Sequence, residues 1–231
     1  MDDILHNSMP LVNEVMSKCR PLEFFPDYIK QGYYPFGTEG FALYHQRVEN
    51  IVDMLLNIEL PQLRSVDIGN IRKIKALLAI ISTEVPMLVD ITKFATLTGI
   101  AHTTMLAYLQ YLHEAKLIRL LYSDDLSVKK MQKPDKILME NTNLLQALSL
   151  QVPNIGTMRE TFFCNQLGYT HQVEYNKRGD YLIDHKYVFE IGGKAKDGKQ
   201  VANIENAYIA SDECDYPIGN KLPLWLFGLM Y

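Results

Sequence analysis

Apolar residues in the first 66 positions recur mainly at spacings of three and four residues. This spacing is typical of helices that bury one face. Between two such stripes lies an aromatic-rich segment, in which Gly32 and Pro35 end a helix that begins near Leu22. Residues 1–66 therefore predict a helical region packed through aromatic side chains, with these apolar positions: Ile4, Leu5, Leu11, Val12, Val15, Met16, Val48, Ile51, Val52, Leu55 and Leu56.

The pattern becomes sharper over residues 67–133. A first amphipathic helix is followed by a second, short helix that Asp90 is placed to cap and Gly99 to end. A third helix is expected over 102–115 and a strand over 117–122. Three helices, with a glycine-containing turn before the third, and a following strand predict a winged helix-turn-helix.

The third helix of this motif bears on DNA binding, because its outer side chains would face the base edges. No Lys or Arg lies between His102 and Glu114, although basic contacts to phosphate supply most of the affinity for nucleic acid. Packing or protein binding therefore stays open as the alternative. The candidate DNA-binding residues are Thr103, Thr104 and Gln110 on the helix and Lys129 and Lys130 in the wing.

After Pro134 the pattern changes to short strands and two helices. It predicts a strand over 136–140, helices over 141–148 and 156–167, and strands around Val173, Tyr181, Val188 and Tyr208. Residues 134–231 are therefore expected to form a unit with its own core. The fold class predicted for the whole chain is α+β, with domains at 1–66, 67–133 and 134–231.

The most informative segment is a predicted hairpin that turns at residues 184–186. A three-residue loop centred on His185 places Asp180 opposite Glu190, with Cβ atoms about 4.5–5.5 Å apart. Two like charges in that arrangement require a cation, a shared proton or a basic neighbour such as Lys194. A two-residue turn would shift the register and separate the two carboxylates.

This acidic pair has two interpretations. Carboxylate oxygens with open positions suit Mg²⁺ or Mn²⁺, so Asp180 and Glu190 are candidate metal ligands, with Lys194 as an electrostatic stabiliser. Glu160 shares a helix face with apolar residues, and it either pairs with Arg159 or supports the site. Alternatively, Lys194 simply neutralises Glu190 in a structural ion pair, since such pairs resemble functional sites.

Composition narrows the class of protein. The 231 residues carry 23 basic and 27 acidic side chains, a net charge of −4, which excludes a basic field over the whole surface. The three cysteines lack disulfide or zinc spacing and favour a reducing compartment. No apolar run is long enough for a membrane helix, and the N-terminus lacks a signal peptide's basic region. We expect a cytoplasmic protein with no membrane contact.

Several segments together resemble a family of prokaryotic predicted ATPases of the AAA+ superfamily, whose C-terminal domain has no known function. The resemblance covers nearly the whole chain. It lies in YIKQGYYP (28–35), AYLQYLHEAKLI (107–118), KPDKILMENTNL (133–144), RETFF (159–163), GD (179–180), FEIGGK (189–194) and LPLWLFG (222–228).

The resemblance implies a helical lid, a winged helix and a C-terminal domain similar to the PD-(D/E)xK restriction-endonuclease fold. The preceding ATPase domain of the family has no counterpart here. No GxxxxGK[ST] motif is present, so the chain alone is not expected to hydrolyse ATP, which would be a cofactor only with that missing domain.

Carried over to this sequence, the family's helix acid corresponds to Glu160, its central aspartate to Asp180 and its strand acid to Glu190. Lys194 departs from the pattern, because the nuclease motif places its lysine two residues after the acid, on the same strand face. This departure favours a non-catalytic relative.

The leading hypothesis is therefore a non-catalytic binding and regulatory module of an AAA+ ATPase-type protein. Its candidate partners are DNA, another protein and the missing ATPase domain. The alternatives are a Mg²⁺- or Mn²⁺-dependent nuclease of the PD-(D/E)xK type and a winged-helix DNA-binding regulator.

Overall fold

The computed structural model describes residues 1–64, 66–123 and 133–230. Helices and two sheets are combined in it, which confirms the predicted α+β class. In the described part of the chain, no helix is both long enough and apolar enough to cross a membrane.

The helices are α1 (Asp2–His6), α2 (Ser8–Lys18), α3 (Pro21–Gln31), α4 (Tyr44–Met54), α5 (Leu60–Arg64), α6 (Ile68–Glu84), α7 (Ile91–Thr98), α8 (His102–Glu114), α9 (Thr142–Leu148) and α10 (Ile155–Leu167). Short 3-10 helices lie at Pro35–Glu39 and Leu224–Leu229, and a π-helical turn at Leu55–Glu59 joins α4 to α5. The strands are β1 (Met87–Leu88), β2 (Ile118–Leu121), β3 (Lys136–Met139), β4 (Val173–Tyr175), β5 (Tyr181–Ile183), β6 (Tyr187–Gly192), β7 (Ala207–Ser211) and β8 (Lys221–Pro223).

These elements form two compact units. Within the described residues, the first unit comprises 1–29, 123 and 155–230, and the second comprises 30–122 and 133–154. This division differs from the three consecutive domains that the sequence predicts. The chain's first helices belong with its C-terminal sheet because Phe25 packs edge-on against Phe162 of α10, with ring centroids 4.8 Å apart.

The second unit contains the helices and strands for which the sequence predicts a winged helix. Its elements follow the order α6, β1, α7, α8, β2, β3, and the three strands form an antiparallel sheet in the order β1-β3-β2. Asp90 caps α7 as expected, since its Oδ1 accepts a hydrogen bond from the Lys93 amide at 3.0 Å. Gly99 ends α7 in the left-handed conformation, with φ of 65°. β3 therefore belongs to this unit, because it is the central strand of its sheet.

A buried polar cluster ties the aromatic segment of the second unit to α9. Asn143 Oδ1 accepts hydrogen bonds from the Tyr33 amide, at 2.8 Å, and from the Tyr44 hydroxyl. Tyr44 is 1% exposed and Asn143 is completely buried. Burial raises the pKa of the nearby Tyr34 hydroxyl to about 12, which keeps it a neutral hydrogen-bonding group.

The first unit is built on a five-stranded sheet in the order β4-β5-β6-β7-β8. β4, β5 and β6 are antiparallel neighbours, whereas β7 and β8 add to β6 in parallel. One face of the sheet packs against α10 through Phe163, whose ring lies 5.0 Å from Phe189 and 6.1 Å from Tyr181. The other face carries a cluster of Leu182, Val188, Val201, Ala207 and Ile209.

Candidate functional site

The β5–β6 hairpin has the predicted register. Tyr181 pairs with Phe189, Leu182 with Val188 and Ile183 with Tyr187, which leaves a three-residue loop centred on His185. The alternative two-residue turn is therefore excluded. Asp180 comes directly before the paired residues at the open end of the hairpin, and its amide donates to the Phe189 carbonyl at 2.8 Å.

Glu190 is the most deeply buried acid of this group, with 2% of its surface exposed. Its Oε1 lies 2.8 Å from the ammonium of Lys196. Its Oε2 is buried as well and has no hydrogen-bond partner among the described residues. A buried carboxylate is costly unless a cation or hydrogen bonds offset its lost hydration, so Lys196 is a necessary partner for Glu190.

The ion pair that was expected for Lys194 is thus formed by Lys196, two residues further along the chain. The chain turns back after β6, since the Lys196 amide donates to the Gly193 carbonyl at 3.0 Å. Its side chain then crosses Gly192, where an added Cβ would lie 2.8 Å from Lys196 Cγ. Gly192 is needed because only a residue without a side chain leaves this path open.

The loop that carries Lys196 is held by a second lysine. Lys221 donates from Nζ to the carbonyls of Lys194, at 2.6 Å, and Lys196, at 3.1 Å. The Lys194 backbone thus takes part in the clamp, while the lysine side chain that reaches Glu190 is that of Lys196. Sequence reasoning missed Lys196 and Lys221, although a lysine six residues after the acid and beyond two glycines was a usable signal for the first.

The carboxylate of Asp180 also has a hydrogen-bond partner within the protein. Its Oδ2 accepts a hydrogen bond from the Ile191 amide at 2.6 Å, on the strand opposite. This bond holds the Asp180 carboxylate at the strand that carries Glu190. Each of the two acids is therefore engaged by a group of the hairpin or of the loop that follows it.

Glu160 on α10 is bound by Tyr181 rather than by Arg159. The Tyr181 hydroxyl donates to Glu160 Oε2 at 2.5 Å, whereas Arg159 pairs with Asp212 at 2.9 Å. Burial raises the pKa of Tyr181 well above its ordinary value, and the charge of Glu160 adds to the rise. Tyr181 therefore stays protonated and remains a donor to Glu160.

All three acids raise the pKa of one lysine, Lys196. The hydrogen bond that Lys196 donates to Glu190 raises the pKa of Lys196, and the charges of Glu190, Asp180 and Glu160 raise it further, against the opposite effect of burial. The structure thus brings together the predicted Glu160, Asp180 and Glu190 around Lys196. We call Glu160, Asp180 and Glu190 the acidic cluster. Glu190 is its buried member, whereas Glu160, Asp180 and Lys196 are half-buried.

A divalent metal does not fit this arrangement well. Mg²⁺ requires close to six oxygen ligands in octahedral geometry. Within the described residues, no group of three His, Cys, Asp or Glu side chains lies close enough to hold a metal ion. Of the cation, shared proton or basic neighbour that the two acids call for, the structure supplies a basic neighbour, since Lys196 pairs with Glu190.

The predicted DNA-binding residues of α8 are only partly available. Thr103 is exposed on the first turn of the helix and Thr104 is half-buried. Gln110 donates to Glu114 Oε1 at 3.1 Å, and the guanidinium of Arg64 lies 5.3 Å from the ring centroid of Tyr111. Lys129 and Lys130 lie outside the described residues.

Comparison with known proteins adds a family but no activity. Residues 22–154, more than half of the chain, match the model of a family described as Domain of unknown function (DUF8612). This range contains the second unit and most of α3, and it ends before α10. No curated protein and no solved structure matches the chain. The acidic cluster of the first unit lies outside the family match.

Proposed function

Since the chain belongs to the family described as Domain of unknown function (DUF8612), we propose its function from its own residues: it is a non-catalytic binding and regulatory module of an AAA+ ATPase-type protein. The resemblance of its segments to that superfamily supports the AAA+ part of the proposal. Its partner is another protein, and the acidic cluster has a structural role.

The observation that carries this proposal is that all three acids of the cluster have partners within the protein. Lys196 pairs with Glu190, the Ile191 amide binds Asp180, and the Tyr181 hydroxyl binds Glu160. A metal-dependent nuclease needs carboxylate oxygens that are free to bind the metal. The contacts of this cluster therefore support a structural core rather than a reaction centre.

The choice of a protein partner rests on α8. Its outer face carries no Lys or Arg, and of its candidate base-reading side chains Gln110 is bonded to Glu114. Proteins that bind DNA gain most of their affinity from basic contacts to phosphate. A helix with this surface is better suited to protein contact. Duplex DNA binding that weakens with salt and is lost in Thr103→Ala would contradict this choice.

Calorimetric titration of Mn²⁺ into the protein tests the structural role of the cluster. We expect no saturable heat up to millimolar Mn²⁺, and the same result for Asp180→Asn. Saturable binding to the wild type that is lost in Asp180→Asn would show a metal site and overturn the non-catalytic interpretation.

The second candidate is a nuclease of the PD-(D/E)xK type, and one observation favours it. Glu190 Oε2 is buried without a hydrogen-bond partner in the described structure, and Lys196 restores an acid–lysine pair that the sequence spacing had put in doubt. Cleavage of single- or double-stranded DNA in Mg²⁺ or Mn²⁺ that disappears in Glu190→Gln would support it. Equal cleavage by both proteins would mark the activity as a contaminant.

We also propose a cytoplasmic location for the chain. Its support is the state of the cysteines, since Cys19, Cys164 and Cys214 are all free and Cys164 is buried in the first unit. Free cysteines are typical of reducing compartments. Fractionation of cells that express the protein would test this location.

A further inference from the structure

The helical run from α4 through the π-helical turn to α5 carries a concentration of exposed apolar side chains. Ile51, Met54, Ile58 and Leu63 expose between 41% and 76% of their surface. The first three follow helical spacing, so they line one side of the run. Single exposed apolar residues are common, whereas several together mark an interaction surface. We call these four residues the apolar face.

A cavity of about 270 Å³ opens beside the apolar face, within the second unit. Pockets for drug-sized ligands span about 300–1,000 Å³. This cavity is smaller, so it suits one side chain of a partner better than a free ligand. Leu63 belongs to both the cavity and the apolar face, and the lining is completed by Leu55, Glu59, Leu60, Arg64, Tyr111, Glu114 and Ala115.

The π-helical turn lies in the middle of this surface. It spans Leu55–Glu59, directly after Met54 and directly before Leu60. A π turn widens the helix and is frequently retained at functional sites. Here it carries Ile58 of the apolar face and Glu59 of the cavity, so the apolar and acidic parts of the surface meet at the turn.

The charges around the surface indicate what kind of partner it fits. Arg47 is paired with Glu39 at 2.6 Å, and Arg64 is paired with Glu114, so both arginines are neutralised within the protein. Glu59 has no ion-pair or hydrogen-bond partner among the residues that the structure describes. Asp53 is likewise paired with Lys75, so the exposed Glu49 and Glu59 leave a net charge of −2 on the run, which is complementary to a basic side chain.

We propose that the apolar face and its cavity form the docking surface for an amphipathic helix of a protein partner, one that carries Lys or Arg among apolar residues. This inference rests on the proposed function as a protein-binding module. The partner's apolar residues pack on Ile51, Met54 and Ile58, as in other helix-in-groove complexes. The aliphatic stem of its basic side chain enters the cavity along Leu63, and the charge meets Glu59.

A fluorescein-labelled peptide of about 18 leucine and lysine residues in amphipathic order is a suitable probe. In an anisotropy titration of the full chain we expect saturable binding. Ile58→Asp should weaken binding at least about tenfold, because it places a charge in the centre of the apolar face. Glu59→Gln should weaken it about threefold, as expected for a solvent-exposed ion pair.

Two controls make the result specific. Glu49→Gln changes an exposed acid on the same run, which lines a different cavity with Asp53 and Lys75, and it should bind as the wild type does. A sister peptide with glutamate in place of lysine should bind at least about tenfold more weakly. Leu63→Ser gives a second test of the surface, and circular dichroism melting identifies any variant that fails to fold.

Several outcomes would overturn the docking surface. These are the absence of saturable binding up to about 1 mM peptide, and equal binding by wild type and Ile58→Asp. If ultracentrifugation shows dimers that Ile58→Asp abolishes, the partner of this surface is a second copy of this chain rather than a helix of another protein. If the protein binds phosphatidylserine vesicles and Ile58→Asp abolishes this binding, the partner of this surface is a membrane. Saturable Mn²⁺ binding would instead overturn the non-catalytic function and leave the peptide result standing.

Discussion

At the residue scale, the stability of the acidic cluster depends on the ion pair between Lys196 and Glu190. Lys196→Met removes the cation and leaves the carboxylate of Glu190 buried without its ion-pair partner. We expect a loss of about 1–3 kcal/mol in the free energy of unfolding, measured by urea denaturation. The double variant Lys196→Met/Glu190→Gln should recover part of this loss, because no charge is then left unpaired. A double variant less stable than Lys196→Met would contradict the pairing.

The Lys196–Glu190 pair makes the free energy of unfolding depend on pH. Glu190 raises the pKa of Lys196 above its ordinary value, so the folded state holds this proton more tightly than the unfolded state. The stabilisation is present in full below the ordinary lysine pKa of about 10.4 and is lost as pH rises through the raised value. The stability difference between wild type and Lys196→Met should therefore shrink at high pH. Lys199→Met, at an exposed pair with Asp197, serves as the control.

Gly192 controls whether Lys196 can reach its acid. In Gly192→Ala, the new Cβ would lie within 2.9 Å of Cβ, Cγ and Cδ of Lys196, so the lysine stem must move away. Because Glu190 is the main cause of the raised pKa, we expect the pKa of Lys196 to fall towards its ordinary value. NMR titration of labelled lysines measures this, with Lys199 as the internal reference. An unchanged Lys196 titration would show that Gly192 is dispensable.

At the scale of elements, the turn of the β5–β6 hairpin places two side chains under the same backbone constraint. Asp184 and His185 have φ of 52° and 55°, the left-handed region where glycine is least strained. Asp184 also accepts a hydrogen bond from the Gln172 amide at 2.9 Å and lies 2.7 Å from His171 Nδ1, whereas His185 Nδ1 lies 2.9 Å from Glu174 Oε2. We expect Asp184→Gly to be about 1 kcal/mol less stable than His185→Gly in thermal denaturation, because it loses a hydrogen bond from a backbone amide as well as a side-chain contact. Equal stability would show that the Gln172 hydrogen bond adds nothing beyond what the His185–Glu174 contact supplies.

The same hairpin shows which features of the site could be predicted from the sequence alone and which could not. The sequence limited its register to a three-residue loop centred on His185 or a shorter two-residue turn, and the structure has the three-residue loop, which pairs the buried Tyr181 with Phe189. The choice between Lys194 and Lys196 was not predictable in the same way. It depends on how the loop folds back across Gly192, and strand periodicity carries no information about a loop.

The loop after β6 provides a prediction at the element scale. Lys221 holds the carbonyls of Lys194 and Lys196, so Lys221→Met removes the clamp while leaving the Lys196 side chain intact. We expect faster amide hydrogen exchange in the loop and a lower pKa for Lys196, because the lysine is less firmly held at Glu190. Lys199→Met lies in the same loop and should leave both measurements unchanged. Unchanged exchange in Lys221→Met would rule out the clamp.

The whole molecule was harder to predict than its elements. The order of helices and strands from α6 to β3 follows from local signals, such as the cap at Asp90 and the turn at Gly99. The association of the first 29 residues with the C-terminal sheet depends instead on contacts such as Phe25 with Phe162, far apart in sequence. Amphipathic patterns show that a helix face is buried, but they do not show which surface covers it.

Each compact unit has its own polar cluster. A substitution in one cluster should therefore speed hydrogen exchange in that unit alone. Lys196→Met removes a buried contact in the first unit, and Asn143→Ala removes the acceptor for Tyr33 and Tyr44 in the second. We expect faster hydrogen exchange in β4–β8 for the former and in α4, α6 and α9 for the latter, because local openings follow contiguous cooperative units. Faster exchange throughout the chain in both variants would instead show a single cooperative unit. In that case the docking surface of the second unit would be coupled in stability to the acidic cluster of the first.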